Sequence, residues 1–267
     1  MTEKNGQLKN LVDSSGYPFQ IAIENEIRTA NTDWKIITRE HPWKNPDEET
    51  EGFIDLVLGH GTGRLVLECK RPRGGVWIFL ISQKAQESAQ RFKVCWAHCR
   101  PNRNDLIDWS DFQVIPESLE SEFCVIRGHE DKAEAFLERL AKHVLSSIEA
   151  LASEEIKLIR DPKLDKLRLF IPAIVTSAEL KICRLNPNQI SISEGTIIES
   201  NFETVQWVRF RKSLSVRIRN WPDVTDLNGI AQKKERSIYV INSLNLSLFL
   251  KSLKICEQAW GPLPWER

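Results

Sequence analysis

Apolar residues recur at two different periods along the first part of the chain. Phe19, Ile23, Ile27 and Ala30 fall at i, i+4, i+8 and i+11, which predicts a helix from Gln20 to Ala30 entered through Tyr17-Pro18-Phe19, with Pro18 at a first-turn position. From Asp33 to Glu40 the period shortens to two, with Trp34, Ile36 and Thr38 alternating as in a strand. Phe53 to Leu58 reads as a half-buried strand, Gly59-His60-Gly61-Thr62-Gly63 as a turn, and Arg64 to Lys70 as a second strand, together a hairpin. Strand alternation puts Arg64, Val66, Glu68 and Lys70 on one face and Leu65, Leu67 and Cys69 on the other.

Beyond the hairpin, Val76 to Ile81 is a short apolar strand or buried element, and Ser82 to Ala97 is predicted as a helix capped by Ser82. Glu122 to Arg127 is strand-like. Asp131 to Glu155 carries Phe136, Leu137, Leu140, Val144, Leu145, Ile148 and Leu151 on one side and is the clearest helix, followed by a buried strand over Leu167 to Thr176. Lys181 to Arg184, Gln189 to Ser193, Thr196 to Ile198, Val205 to Phe210 and Ser237 to Ile241 read as further strands, and Ser243 to Glu257 as a terminal helix. No repeat, low-complexity run or linker separates these segments. The expectation is one α/β domain over residues 1–267, with a core at about 16–176 and peripheral strands and a helix over 177–267.

Apart from Arg64 at the turn, Asp55, Glu68 and Lys70 are the charges in the two apolar strands of the hairpin. A structural ion pair at a strand end would account for them. Carboxylates and an ammonium at one spot on a sheet also suit a hard divalent cation with a lysine beside it to handle water. The order carboxylate, twelve residues, Glu-x-Lys resembles the active site of the PD-(D/E)XK nuclease superfamily, nearest in spacing to its Holliday-junction-resolvase and Mrr-like branches, with Ile54 in place of the proline. The resemblance covers about the first 70 residues. It implies a restriction-endonuclease-like α-β-β-β-α-β core with a mixed central sheet, Mg²⁺ (or Mn²⁺) as cofactor, and metal ligation by Asp55, Glu68 and the backbone carbonyl of Cys69. It also implies a glutamate on the helix before the hairpin. At 100° per residue Glu26 falls about 60° from Ile23 and Glu24 about 100° away on the other side, which favours Glu26 as both catalytic and metal-site residue. In several nuclease branches a glutamine follows Glu-x-Lys, and Gln83 or Gln86 could take that part.

Charge supports the resemblance without requiring it. Two carboxylates about 4 Å apart repel by about 4 kcal/mol at an effective dielectric near 20, and Lys70 supplies one positive charge against Glu26, Asp55 and Glu68. The chain has 37 basic and 37 acidic residues, but the basic ones cluster. Arg71, Arg73 and Lys84 follow the hairpin, and Arg209, Arg211 and Lys212 lie in an acid-free stretch from Val205 to Asn220; both groups are expected to contact phosphates. The expected partner is DNA, with RNA and a homodimer or partner subunit left open. Six scattered cysteines and the absence of an apolar run of membrane-spanning length fit a cytoplasmic protein, and Cys95, His98 and Cys99 read as buried helix residues rather than zinc ligands. The expected function is metal-dependent phosphodiester hydrolysis by a DNA endonuclease; a catalytically inactive module of the same fold, binding nucleic acid or protein, is the alternative.

Overall fold

The computed structural model describes residues 2–45, 49–72, 75–82, 91–100, 105–126, 135–161, 163–164, 166–214, 216 and 224–256. Helices Thr2–Ser14 (α1) and Tyr17–Thr29 (α2) precede strands Lys35–Asn45 (β1), Thr50–His60 (β2) and Gly63–Lys70 (β3). Strands Val76–Ser82 (β4), Arg91–Cys99 (β5), Leu106–Ile115 (β6), Glu120–Ser121 (β7) and Phe123–Ile126 (β8) follow, then helix Phe136–Ile159 (α3) and strand Lys166–Thr176 (β9). The chain continues through Glu179–Leu185 (β10), Phe202–Val205 (β11), Trp207–Ser213 (β12), Leu227–Lys234 (α4), Glu235–Asn242 (β13), Leu246–Ser252 (α5) and Lys254–Ile255 (β14). Among the described residues, no helix is long and apolar enough to cross a membrane.

The fold is mixed α/β, and its large sheet is built around β9. That strand runs parallel to β3 from Gly63↔Leu169 to Lys70↔Thr176. On its other side it is shared, its first half pairing antiparallel with β5 (Lys166 to Phe170) and its last four residues parallel with β13. The order is β1-β2-β3-β9-β13-β12-β7, with β6 and β14 joined through β5, while β11-β10-β4-β8 form a second sheet. One face of the large sheet packs Leu56, Leu58, Leu65 and Leu67 against Ile23 and Ile27 of α2 and Phe249 and Leu250 of α5. The other packs Val57, Val66 and Ile174 against Val144, Leu145 and Ile148 of α3, a layer continued by Trp77 and Ile182 of the second sheet. Burying two apolar faces at roughly 25 cal/mol per Å² supplies most of the driving force for this arrangement.

The hairpin, α2, α3 and β9 lie where periodicity predicts them, to within a few residues. The turn at the tip is tighter than expected: Gly61 and Thr62 alone join His60 to Gly63, with Gly61 at φ 54°. The predicted helix from Ser82 to Ala97 is corrected at both described ends, since Ser82 closes β4 and Arg91–Cys99 is a strand, while 83–90 lie outside the described residues. Phe92, Val94 and Trp96 enter the α2-side layer while Cys95, Ala97 and Cys99 enter the α3-side layer. From Val94 to Cys99 the strand is buried on both faces and loses the period that would distinguish it from a helix, and the alternation of Arg91 and Lys93 with Phe92 and Val94 is too short to restore it. The terminal helix is likewise shorter, Leu246–Ser252, and α1, α4 and β6 were not anticipated.

Charged side chains tie β12 into its surroundings. Arg209 is 1% exposed. Its Nε lies 2.9 Å from Glu120 Oε2 and its Nη1 donates to the Arg91 carbonyl at 2.6 Å, linking β12, β7 and β5. Arg211 contacts Asp111 at 2.8 Å and Glu235 at 2.5 Å, and Lys93 reaches Asp111 at 3.1 Å. Burial works against the Asp111 carboxylate, but Lys93 and Arg211 hold its ionisation below the ordinary range. Removing one member of a buried pair strands the other charge, at a cost of about 3–5 kcal/mol. Arg209→Ala is therefore expected to lower unfolding stability by about that much in urea titrations, whereas an exposed arginine would change it by about 0.5 kcal/mol or less.

Candidate active site

The backbone ladder between β2 and β3 ends at Leu56↔Leu67, one pair short of Asp55 and Glu68. There a side chain takes over: the Cys69 N–H donates to Asp55 Oδ2 at 2.6 Å. On the opposite edge β3 stays paired with β9 as far as Lys70, so the Glu68-Cys69-Lys70 segment is held firmly on one side only. Glu68 is buried, and its Oε1 lies 2.7 Å from Lys70 Nζ. The alternation along β3 is as expected. Arg64 pairs with Glu155 of α3 and Val66 joins the α3-side layer, while Leu65, Leu67 and Cys69 belong to the α2-side layer.

Alternation fails across β1 and β2 at this same point. Leu56 packs with α2 and Arg39 pairs with Glu24 of α2. Two residues on, Ile54 packs in the α3-side layer and His41 meets Glu154 of α3 at 2.8 Å. Both strands reverse their faces between these pairs, at Asp55 and Glu40. Glu40 carries φ 48°, a conformation that costs a residue with a side chain about 1–3 kcal/mol. Gln20 of α2 spans the irregularity, its Nε2 donating to Glu40 Oε1 at 2.5 Å and to the Asp55 carbonyl at 3.4 Å.

The electrostatics follow from this crowding. Burial, then the neighbouring Glu68 carboxylate, raise the Asp55 pKa from 3.8 to about 7, with the Cys69 N–H and Lys70 opposing and Glu40 adding to the rise. Burial also pushes the Cys69 thiol well up, with Asp55 and Glu68 contributing, so it stays a neutral thiol. Only the Cys69 carbonyl is then chemically suited to a metal.

The buried glutamate of α2 is Glu24, and Glu26, favoured from the apolar stripe, is not buried. The buried residues of α2 are Gln20, Ile23, Glu24 and Ile27, an i, i+3, i+4, i+7 set. Glu24 Oε2 accepts from Arg39 at 3.4 Å and Arg28 at 3.5 Å, and its charge reaches Cys69. Glu26 is exposed and accepts a hydrogen bond from Ser247 of α5. Taking the stripe as Phe19, Ile23, Ile27 set its phase wrongly; the set including Gln20 and Glu24 would have found the inward acid. Gln20 and Glu40 are thus the residues beside Asp55 that sequence reasoning missed, and Glu24 the one it weighed and passed over.

Among the described residues no three His, Cys, Asp or Glu side chains come close enough to hold an ion, so the expected Glu26-Asp55-Glu68 triad is not assembled. What remains is a pair of carboxylates and the carbonyl between Glu68 and Lys70. Such a sparse set fits Mg²⁺, which keeps several waters and takes one or two carboxylates, better than an ion enclosed by protein ligands. Burial first and then the repulsion from Glu68 raise the Asp55 pKa, and both would be relieved by added positive charge at this place.

The expected phosphate contacts fare differently. Arg209, Arg211 and Lys212 are corrected: Arg209 is buried against Glu120, Arg211 is held by Asp111 and Glu235, and Lys212 is paired with Glu138 over the Phe123 ring. An acid-free stretch of sequence found its acids from other strands and from α3. Arg71 is exposed and donates to the Asp13 carbonyl at the end of α1. Arg73, Lys84, Gln83 and Gln86 lie outside the described residues.

A carboxyl whose folded pKa is raised favours the fold while it is neutral. That contribution is full below pH 3.8 and is lost as pH rises through about 7. In EDTA, wild-type stability should therefore fall relative to Asp55→Asn by about 1.4 kcal/mol per pH unit across that window and level off above it. Urea unfolding of both proteins from about pH 5 to about pH 8 reads the difference; a gap that does not change with pH contradicts the raised Asp55 pKa.

Comparison of the chain with protein-family models, with curated proteins and with solved structures found no match in any of the three.

Proposed function

We propose that this protein is a metal-dependent nuclease with a restriction-endonuclease-like core, hydrolysing phosphodiester bonds of nucleic acid, DNA before RNA. The observation that carries the reading is the meeting of Asp55 with Glu68 at the open end of the β2–β3 ladder, beside Lys70 at 2.7 Å from Glu68. The run α2-β1-β2-β3 and, after the five strands β4 to β8, the pair α3-β9 with β9 parallel to β3 support the same reading. So does the buried Glu24 on the preceding helix, which takes the role first given to Glu26.

In this reading Asp55, Glu68 and the Cys69 carbonyl hold Mg²⁺ or Mn²⁺. The bound ion would supply positive charge against that developing on a phosphodiester at its transition state. Lys70, whose amine reaches solvent while Glu68 anchors it, orients the attacking water and donates to a phosphate oxygen. Asp55 must be ionised to bind a cation, and the Cys69 N–H on Oδ2 keeps its other oxygen free for that task. Glu24 aligns the helix side of the site through Arg39.

A second reading has one observation in its favour: Glu68 is already satisfied by Lys70 and Asp55 by the Cys69 N–H, as in a purely structural cluster. Cleavage of plasmid, linear and single-stranded DNA and of RNA, with Mg²⁺, Mn²⁺ or EDTA, separates the two. Metal-dependent cleavage is expected, with Lys70→Ala reducing it by about 10²-fold or more. Wild-type cleavage by Lys70→Ala would remove the lysine from the mechanism. In thermal melts Mg²⁺ should raise the Tm of wild type and Lys70→Ala but not of Asp55→Ala or Glu68→Gln; an undiminished shift in Asp55→Ala would mean that the ion binds elsewhere.

A further inference from the structure

With Arg209, Arg211 and Lys212 consumed inside the fold, a nuclease needs another surface for the charged backbone of its substrate. A groove of about 420 Å³ runs between α2 and β1, lined by Arg28, Lys35 and Arg39 together with Trp34, Ile36 and Ile37, and no acid lines it. Arg28 and Arg39 are both mostly exposed and share one oxygen of the buried Glu24, at 3.5 and 3.4 Å, so most of their guanidinium donors face solvent. Lys35 is exposed, with one contact to the Thr32 carbonyl at 2.8 Å. The Arg39 end of the groove is next to the site in strand register: Arg39 stands opposite Leu56, the residue after Asp55, and Glu40 follows it.

We infer that this groove carries one strand of nucleic acid to Asp55, Glu68 and Lys70, its phosphates on Arg28, Lys35 and Arg39 and a base against the exposed Ile37; the inference rests on the nuclease reading. Charge complementarity selects the occupant, since three mostly exposed cations, with no acid in the lining and Glu24 buried behind two of them, suit a polyanion. The apolar floor formed by Ile36 and Ile37 suits an unstacked base better than the outside of a duplex. β1 is the edge of its sheet, but the register shift between Ile36 and Thr38 and the positive φ of Glu40 interrupt it as a template for an added peptide strand.

The test is fluorescence anisotropy with a labelled single-stranded oligonucleotide, a duplex of the same sequence and a polyglutamate peptide, all in EDTA and over a range of salt. The proteins are wild type, Arg28→Gln/Lys35→Gln, and the control Lys44→Gln/Lys157→Gln, which removes equal charge from exposed side chains outside the groove. Wild type and control should bind the single strand alike. The groove variant should bind it several-fold more weakly, with the slope of log affinity against log salt reduced by about 1.4, or about 0.7 per lost phosphate contact. Equal affinity and slope in both variants, preference for the peptide, or no binding of the oligonucleotide by wild type overturns the groove. Because cleavage is read separately, a groove variant that binds like wild type leaves the nuclease reading standing. Groove-dependent binding by a protein that cleaves nothing overturns the nuclease reading and keeps the groove.

Discussion

The ladder between β3 and β9 holds to Lys70↔Thr176, while the ladder between β2 and β3 lets go at Leu56↔Leu67. This inequality governs the rest of the site. One edge of Glu68-Cys69-Lys70 is fixed by a strand that is itself paired on both sides and covered on both faces, and the other edge is open. The Asp55 carboxylate fills the gap by accepting from the Cys69 N–H, which brings it beside Glu68 and gives the pair their mutual repulsion. The strain at Glu40 and the reversal of faces in β1 and β2 occur at the same level, and Gln20 holds the distorted backbone from α2. A sheet that let the ladder continue would be better hydrogen-bonded and would have no site.

Legibility in the sequence followed one-sidedness. The α2 stripe, the hairpin and α3 each bury one face, so their periods were visible, and alternation in β3 placed Glu68 with Lys70 correctly. β5 was misread because Phe92, Val94 and Trp96 serve one layer and Cys95, Ala97 and Cys99 the other, leaving Arg91 and Lys93 as too short a polar side to set a period. Glu26 was preferred to Glu24 because a stripe defined by large apolar residues ignores buried polar ones, and Gln20 and Glu24 are half of the buried set of α2. Glu40 gave no local signal, since its importance comes from the strand it opposes.

Charge shows the same distinction between composition and placement. The chain is neutral overall, and its most basic stretch, around Arg209 and Arg211, is neutralised by Glu120, Asp111 and Glu235 from three other strands or their edges. Arg28, Lys35 and Arg39 are unremarkable in sequence, separated and interspersed with apolar residues, yet helix and strand geometry gathers them along one groove. Sequence clusters of one sign are weak guides where a sheet can bring compensating charges from far along the chain. What distinguishes a surface for a polyanion is cations that stay mostly exposed, as Arg28 and Arg39 do although both reach one oxygen of the buried Glu24.

The central claim is that Asp55 and Glu68 share one divalent ion. The most direct measurement is the anomalous difference map of crystals soaked in Mn²⁺. The account requires a peak about 2.1 Å from a carboxylate oxygen of Asp55, a carboxylate oxygen of Glu68 and the Cys69 carbonyl. A map in which that position is empty while Mn²⁺ is bound at other carboxylates, or in which the ion contacts Glu68 without Asp55, would contradict it.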